Sequence, residues 1–383
     1  MKAAVYEDVE RIVVKEVPKP SCPPDGILVR VEACGICGGD IRNYFQGLKG
    51  GIRNQIMGHE ISGIVEEAGD GARFGPGDRQ CTENDISCGE CYYCKRGLVN
   101  LCQNHRMLGT HVQGGFAQYI ALPGFVLRRG FVEKIPDGLS YIQAAFAEKV
   151  SGVCACQERI NVSLGDTVVM IGDGPVGCLH SEIARARGAA RVIVAGIDRL
   201  PFVKRFPVDE ILDNRDREAV VKRVLELTKG IGADVVICAV PTTVVQNDAL
   251  RMVRRRGTVV IYGGAPGDSR RMANVDSNLI HYNEIMVVGS FSYPGDGLQK
   301  ALAQIEQGNV SVERYISREI PLEGLVQGMM DMKCGVFVRG KRPDRDMTEL
   351  AENLDIILLT TKLPMFSSCG LLYEKGLGGG EAK

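Results

Sequence analysis

The chain has 383 residues, 45% hydrophobic and 24% charged, with a formal net charge of −1. That length accommodates two domains of an ordinary globular protein. The near-neutral charge leaves no electrostatic footprint for nucleic acid, and the longest apolar runs, VVMI at 168–171 and IILL at 356–359, are too short to span a bilayer.

From the N-terminus, ILVRVEAC at 27–34, ISGIVEEAG at 61–69 and FAQYIAL at 116–122 read as short strands between turn residues, a β-rich, barrel-like module. Cys37 lies in ACGICGGD and His59 in MGHE; taken singly, such residues are more often packed core groups than ligands. Next comes CGECYYCKRGLVNLC, with Cys88, Cys91, Cys94 and Cys102 at metal-ligand spacing. Thiolates three residues apart on a tight turn converge on one tetrahedral ion, and a short loop returns the fourth. Disulfides fit less well, because bridges demand particular Cα separations and dihedrals that so crowded a set does not offer. An all-cysteine site is closed: it holds a loop and does no chemistry. The 14 cysteines, with no recognisable secretory leader, suggest a reducing cytoplasm.

Beyond residue 160 strands alternate with helices. DTVVMIG reads as a strand, VGCLHSEIARARG as a helix, RVIVAGI as the next strand, DVVICAV at 234–240 as another, then a basic helix around ALRMVRRRG and a strand in TVVIYGG at 258–264. This is the pattern of a doubly wound α/β domain with a parallel sheet. A last α/β stretch follows from about 290 to 338.

Gly172-Asp-Gly174-Pro175-Val176-Gly177 is G-x-G-x-x-G between a strand and a helix. The glycines permit a tight turn and close approach of a pyrophosphate, which the helix N-terminus then binds. The acid that would grip a ribose 2′-hydroxyl is due near Gly196, with Asp198 and Arg199 just beyond. A missing carboxylate followed by arginine leans toward NADP, with NAD as the other option should Asp198 turn inward.

Together, the quartet, the nucleotide motif, GHExxG at Gly58–Gly63, GDR at 77–79 and LIHY…GSFSY at 279–293 resemble the zinc-containing medium-chain dehydrogenase/reductase family over residues 1 to about 338. AE-x-x-S and LIHYNE resemble its sorbitol and threonine dehydrogenase branch. The resemblance implies a GroES-like catalytic domain over 1–151 with a structural zinc lobe at 81–105, a Rossmann domain over 152–289, a return to the catalytic domain over 290–338, and an extension over 339–383 that is either a docking amphipathic helix or poorly ordered. It also implies two zinc ions. Cys37 and His59 would hold the catalytic one with Glu148 as third ligand and Glu60 as the alternative or exchanging ligand, while Asp40 orients His59. The activity implied is hydride transfer between a secondary alcohol of polyol, sugar or amino-alcohol type and NAD(P), in a homodimer or homotetramer. The other reading is a non-catalytic descendant of the fold.

Departures from the family pattern fall at the site. Gly39 stands where a relay hydroxyl is usual and Arg42 where a histidine often ends the relay, so zinc-bound water with Glu60 or Glu148, or Tyr44, would have to carry the proton. Lys149 replaces the usual proline, and with Arg42 it would make the pocket cationic, suiting a phosphorylated or carboxylated substrate. The segment AGIDRLPFVKRF is about one helical turn short.

Overall fold

The computed structural model describes residues 1–265, 271–293, 295–333, 336–337 and 359–360. Two compact units are distinguished, Met1–Leu322 and Glu323–Lys383.

The first third of the chain is β-rich. Strands β1 (Lys2–Asp8), β2 (Arg11–Glu16) and β4 (Gln55–Ile56) form a small antiparallel sheet in the order β2-β1-β4. A larger one runs β7-β6-β5-β3-β8, from β3 (Ile27–Gly35), β5 (Glu60–Ala68), β6 (Arg79–Ile86), β7 (Arg106–Met107) and β8 (Tyr119–Leu122), with β9 (Gly130–Lys134) also on β6. Its core is Ile27, Val29, Ile61, Val65, Ile120, Leu122 and Val132. Helix α1 (Gly38–Gln46) follows β3 directly, and α2 (Gly124–Arg129) links β8 to β9.

Helix α3 (Tyr141–Arg159) opens on a capping box in which Ser140 and Gln143 satisfy each other's backbone N–H groups. It joins the β-rich part to a six-stranded, wholly parallel sheet in the order β12-β11-β10-β13-β14-β15. The strands are β10 (Thr167–Ile171), β11 (Arg191–Gly196), β12 (Glu210–Asp213), β13 (Ala233–Cys238), β14 (Val253–Ile261) and β15 (Met286–Gly289). Between them run α4 (Pro175–Ala186), α5 (Leu200–Val203), α6 (Arg217–Leu227), α7 (Val245–Met252) and α8 (Ser277–Tyr282). Val168 to Ile171 and Val192 to Ala195 are buried without alternation, as a sheet covered on both faces requires. Side chains alternate between two clusters, Val169, Ile171 and Ile193 in one, Val168, Met170 and Val192 in the other. The order reverses between β10 and β13, which places a crevice outside their carboxyl ends.

One element departs from expectation. The arginines of VRRRG lie not on a helix but on β14, because α7 ends at Met252. Arg254 pairs with Asp234 and Arg256 with Glu284, so charge on the neighbouring segments takes up a basic run that helical periodicity alone would have carried on.

Over the expected return from residue 290, α9 (Gly297–Glu306) packs Leu298, Ala301, Leu302 and Ile305 against Val150 and Val153 of α3 and Leu179 and Ile183 of α4. The unit Glu323–Lys383 contributes α10 (Leu325–Lys333) and the parallel pair β16 (Val336–Phe337) and β17 (Leu359–Thr360). Apart from Leu359–Thr360, the extension expected over 339–383 lies outside the described residues.

Candidate active site and metal centres

The quartet is built by turns. Cys94–Arg96 and Val99–Leu101 are single 3₁₀ turns, and Gly97 between them takes φ +75, where a side chain would be strained. Four sulfur atoms thereby come within 4.8 Å of one another. The Cys91 and Cys94 sulfurs are 3.5 Å apart and those of Cys88 and Cys94 3.9 Å, near for common ligands and far beyond a disulfide bond. Backbone N–H groups of Cys94 and Gln103 lower the Cys91 pKa to about 6, favouring the thiolate, whereas burial pushes Cys102 up to about 12. The donor chemistry fits a closed zinc site.

The second cluster forms where β3, α1, β5 and α3 meet. Cys37 is the N-cap of α1: its sulfur accepts from Gly39 N–H at 3.4 Å, and Asp40, three residues on, accepts from Cys37 N–H at 2.9 Å. Asp40 is 2% exposed, and its other oxygen lies 3.5 Å from His59 Nδ1, a contact that would orient the ring for ligation through Nε2. Sγ of Cys37, a ring nitrogen of His59 and a carboxylate oxygen of Glu60 lie within 4.8 Å of one another. Glu148 is not in that cluster, but its charge is felt at His59, and Tyr293 donates to its Oε1 at 3.2 Å. Tyr293 in turn accepts from Asn84 N–H at 2.9 Å.

Electrostatically the cluster calls for positive charge. Burial works against a cation at His59, yet Asp40, Cys37 and Glu148 outweigh it and raise its pKa well above the usual value. At Lys149 burial is likewise outweighed, by Glu60, Cys37 and Glu148. Burial raises the pKa of Glu148 itself, opposed by His59. A dication held by a mixed sulfur, nitrogen and oxygen set suits such a field, and such a set is catalytic in type.

Two expectations change here. Tyr44 carries no proton at the site: it is 4% exposed and its hydroxyl donates to the Glu10 carbonyl at 2.7 Å, so it is a packing aromatic with a satisfied polar end. Lys149 brings no unpaired charge to a pocket, because its side chain is 21% exposed and its ammonium is paired with Glu60; Arg42 is exposed.

At the nucleotide loop Gly172 takes φ +136, and a Cβ on Gly177 would land on the Gly172 carbonyl oxygen. Pro175 occupies the first turn of α4, and Gly174 caps it without a side chain, leaving the helix N–H groups available. Beyond β11, Asp198 lies 3.4 Å from Arg215, and Arg199 is exposed at the N-cap of α5. Asp173 was not foreseen. Its carboxylate accepts from Arg199 N–H at 2.5 Å and lies over Gly196, in the space a Cβ there would need. The signal was available, an acid inside the glycine motif facing a glycine at the strand end. Tyr293 and Glu83 were also unassigned; Glu83 is 1% exposed, and burial raises its pKa well up. Neither could be found by spacing.

Residues 23–133 match the alcohol dehydrogenase GroES-like domain, and residues 175–307 match the zinc-binding dehydrogenase family. The sorbitol dehydrogenase of Bacillus subtilis (strain 168) is 33% identical over 84% of this chain and 91% of its own length. The chain belongs to the zinc-type medium-chain dehydrogenase family. It is 32% identical to the D-arabitol-phosphate dehydrogenase of Enterococcus avium, over 79% of this chain and 85% of that one. A zinc-binding dehydrogenase from Sinorhizobium meliloti 1021, solved bound to NADP, superimposes with a TM-score of 0.78 at 31% identity, covering 86% of this chain and 94% of that one. The family member described here is a zinc-dependent oxidoreductase of the alcohol and polyol dehydrogenase class, and the catalytic reading prevails over the non-catalytic one. No helix among the described residues is long and apolar enough to cross a membrane.

Proposed function

We propose that the chain oxidises a secondary alcohol of a neutral polyol to the ketone, transferring the hydride to NAD(P). The observation that carries the reading is the convergence of Cys37, His59 and a carboxylate in one field that favours a dication. Cys37, His59 and either Glu148 or Glu60 would hold a zinc ion there, and Cys88, Cys91, Cys94 and Cys102 a second, structural one. When bound, the catalytic zinc supplies Lewis acidity toward the substrate hydroxyl. Asp40 fixes the ring of His59 and Tyr293 orients Glu148; the carboxylate of Glu60 and Glu148 that does not hold the zinc would take up the alcohol proton. The loop Gly172–Gly177 seats the coenzyme pyrophosphate, with Gly172, Gly174, Pro175, Val176 and Gly177 shaping it and Asp198 and Arg199 on the adenosine side.

A neutral substrate is supported by the pairing of Lys149 with Glu60, which removes the cation a phosphate would need, and by relatives named for sorbitol and for erythritol/L-threitol. NADP is favoured over NAD by Arg199 beside a strand end that lacks its own acid, and by the NADP-bound relative. A homodimer or homotetramer is supported by the outermost strand β15, where Met286 is 56% and Val287 48% exposed, and by Phe291 just beyond it.

The test joins a metal count to turnover. Two zincs per chain, with NADP+ or NAD+ reduced faster by neutral polyols than by their phosphates, supports the reading. In Cys37→Ser the count should fall to one and turnover should vanish. Full activity in that variant, or one zinc and no turnover in the parent protein, overturns it.

A further inference from the structure

Glu60 is seated with unusual completeness for a group so close to two metal ligands. It is 2% exposed and pairs in register with Gly35 across β3 and β5. A Cβ on Gly35 would collide with Glu60 Oε2, so the glycine opens a niche for that oxygen. The other oxygen, Oε1, is bonded by Lys149 Nζ, whose side chain is itself 21% exposed. One carboxylate oxygen is therefore taken by an ammonium, although a Glu60 oxygen lies within 4.8 Å of the Cys37 sulfur and a His59 ring nitrogen. Lys149 follows Glu148 directly on α3 and reaches Glu60 across 89 residues of sequence.

The consequence concerns coordination. Cys37, His59 and two carboxylates would fill all four positions of a tetrahedral zinc and close the site, whereas catalysis requires one position to stay open. A buried carboxylate already compensated by an ammonium gains little by moving to a metal, while the same carboxylate stripped of its partner is an uncompensated buried charge that a dication would capture.

We propose that Lys149 is a positioning residue that withholds the Glu60 carboxylate from a zinc held by Cys37 and His59, so that a coordination position remains open for substrate. The proposal rests on the catalytic-zinc reading above, and goes beyond it by assigning opposite roles to the two adjacent residues of the Glu148-Lys149 pair.

Zinc affinity of the more weakly held ion, measured on the full chain by competition with a chromogenic chelator, is the decisive readout, because a purely structural ion pair would not raise it. Lys149→Met keeps the apolar stem and removes the charge. It should tighten zinc by about tenfold or more, as an unpaired buried charge finds a partner, and raise KM for the alcohol. In Glu60→Gln/Lys149→Met the gain should disappear, and Lys149→Arg should stay near the parent value. With Lys149 retained, Glu60→Gln should leave zinc affinity within about twofold of the parent, as expected of a group that does not ligate; this holds the proposal to account even if Lys149→Met does not fold. Unchanged or weaker zinc binding in Lys149→Met, a gain that persists without Glu60, or a tenfold loss in Glu60→Gln overturns it. If the parent chain binds one zinc only, the catalytic-site reading falls as well, an outcome distinct from failure of the clamp alone.

Discussion

Replacing Tyr293 by phenylalanine removes one oxygen atom from between two parts of the molecule. The hydroxyl is buried with its ring, 4% exposed, and bridges Asn84 N–H at 2.9 Å to Glu148 Oε1 at 3.2 Å. Burial, reinforced by Glu148, Glu83 and Asp85, raises its pKa well above the usual value, so it remains a donor throughout the working range. Phenylalanine fills nearly the same volume and keeps the edge contact with Phe131, whose ring centroid is 5.7 Å away, so no cavity term arises. What remains is an unsatisfied backbone donor and a carboxylate short of a partner, at about 1–3 kcal/mol each, for an expected loss of about 2–6 kcal/mol. Urea unfolding of Tyr293→Phe measures it, with Phe131→Leu as a packing control that spares both hydrogen bonds. Turnover should fall by about tenfold or more through misplacement of Glu148. A stability change below the roughly 0.5 kcal/mol of an ordinary surface substitution would refute the bridge.

Three further outcomes are expected. His180 is fully buried with its pKa lowered by burial to about 3, so below about pH 6.5 the unfolded chain takes up a proton that the folded chain refuses. Its contribution is therefore neutral above that pH, and stability falls by about 1.4 kcal/mol per pH unit as pH drops from 6.5 toward 3; urea titrations at several pH values should show His180→Gln with a slope shallower by one proton, and equal slopes would count against the assignment. Gly177→Ala would drive a Cβ onto the Gly172 carbonyl, and because backbone cannot yield as a side chain can, coenzyme affinity measured by fluorescence titration should drop at least tenfold while both zincs are retained. Cys91→Ser removes the most readily ionised thiol of the quartet; zinc content should fall by one and proteolysis near residues 88–102 should accelerate, whereas an intact count would place the metal elsewhere.

Features written in consecutive residues survive translation from sequence to structure. The spacing of Cys88, Cys91, Cys94 and Cys102 sets how far apart four sulfurs lie on a few turns, and glycines at 172, 174 and 177 set where a chain can turn tightly between strand and helix. Alternation of apolar runs with helical periodicity identified the parallel sheet because burial on both faces leaves no other pattern. Where two local readings competed, as for the arginines at 254–256, the parallel pairing of β14 with β13 and β15 decided for a strand. Other features depend on residues far apart in the chain meeting in space. Tyr293 reaches Asn84 across 209 residues, Lys149 reaches Glu60 across 89, and Asp173 covers Gly196 from a neighbouring strand end. No periodicity records such meetings, since they follow from how sheets and helices stack. By itself, then, the sequence determined the family, the spacing that gathers four cysteine sulfurs and the glycine loop between β10 and α4, all short-range geometry. Only tertiary packing decided that Tyr44 turns away to Glu10 and that Lys149 spends its charge on Glu60, because the partner that satisfies a buried polar group is chosen by proximity in three dimensions.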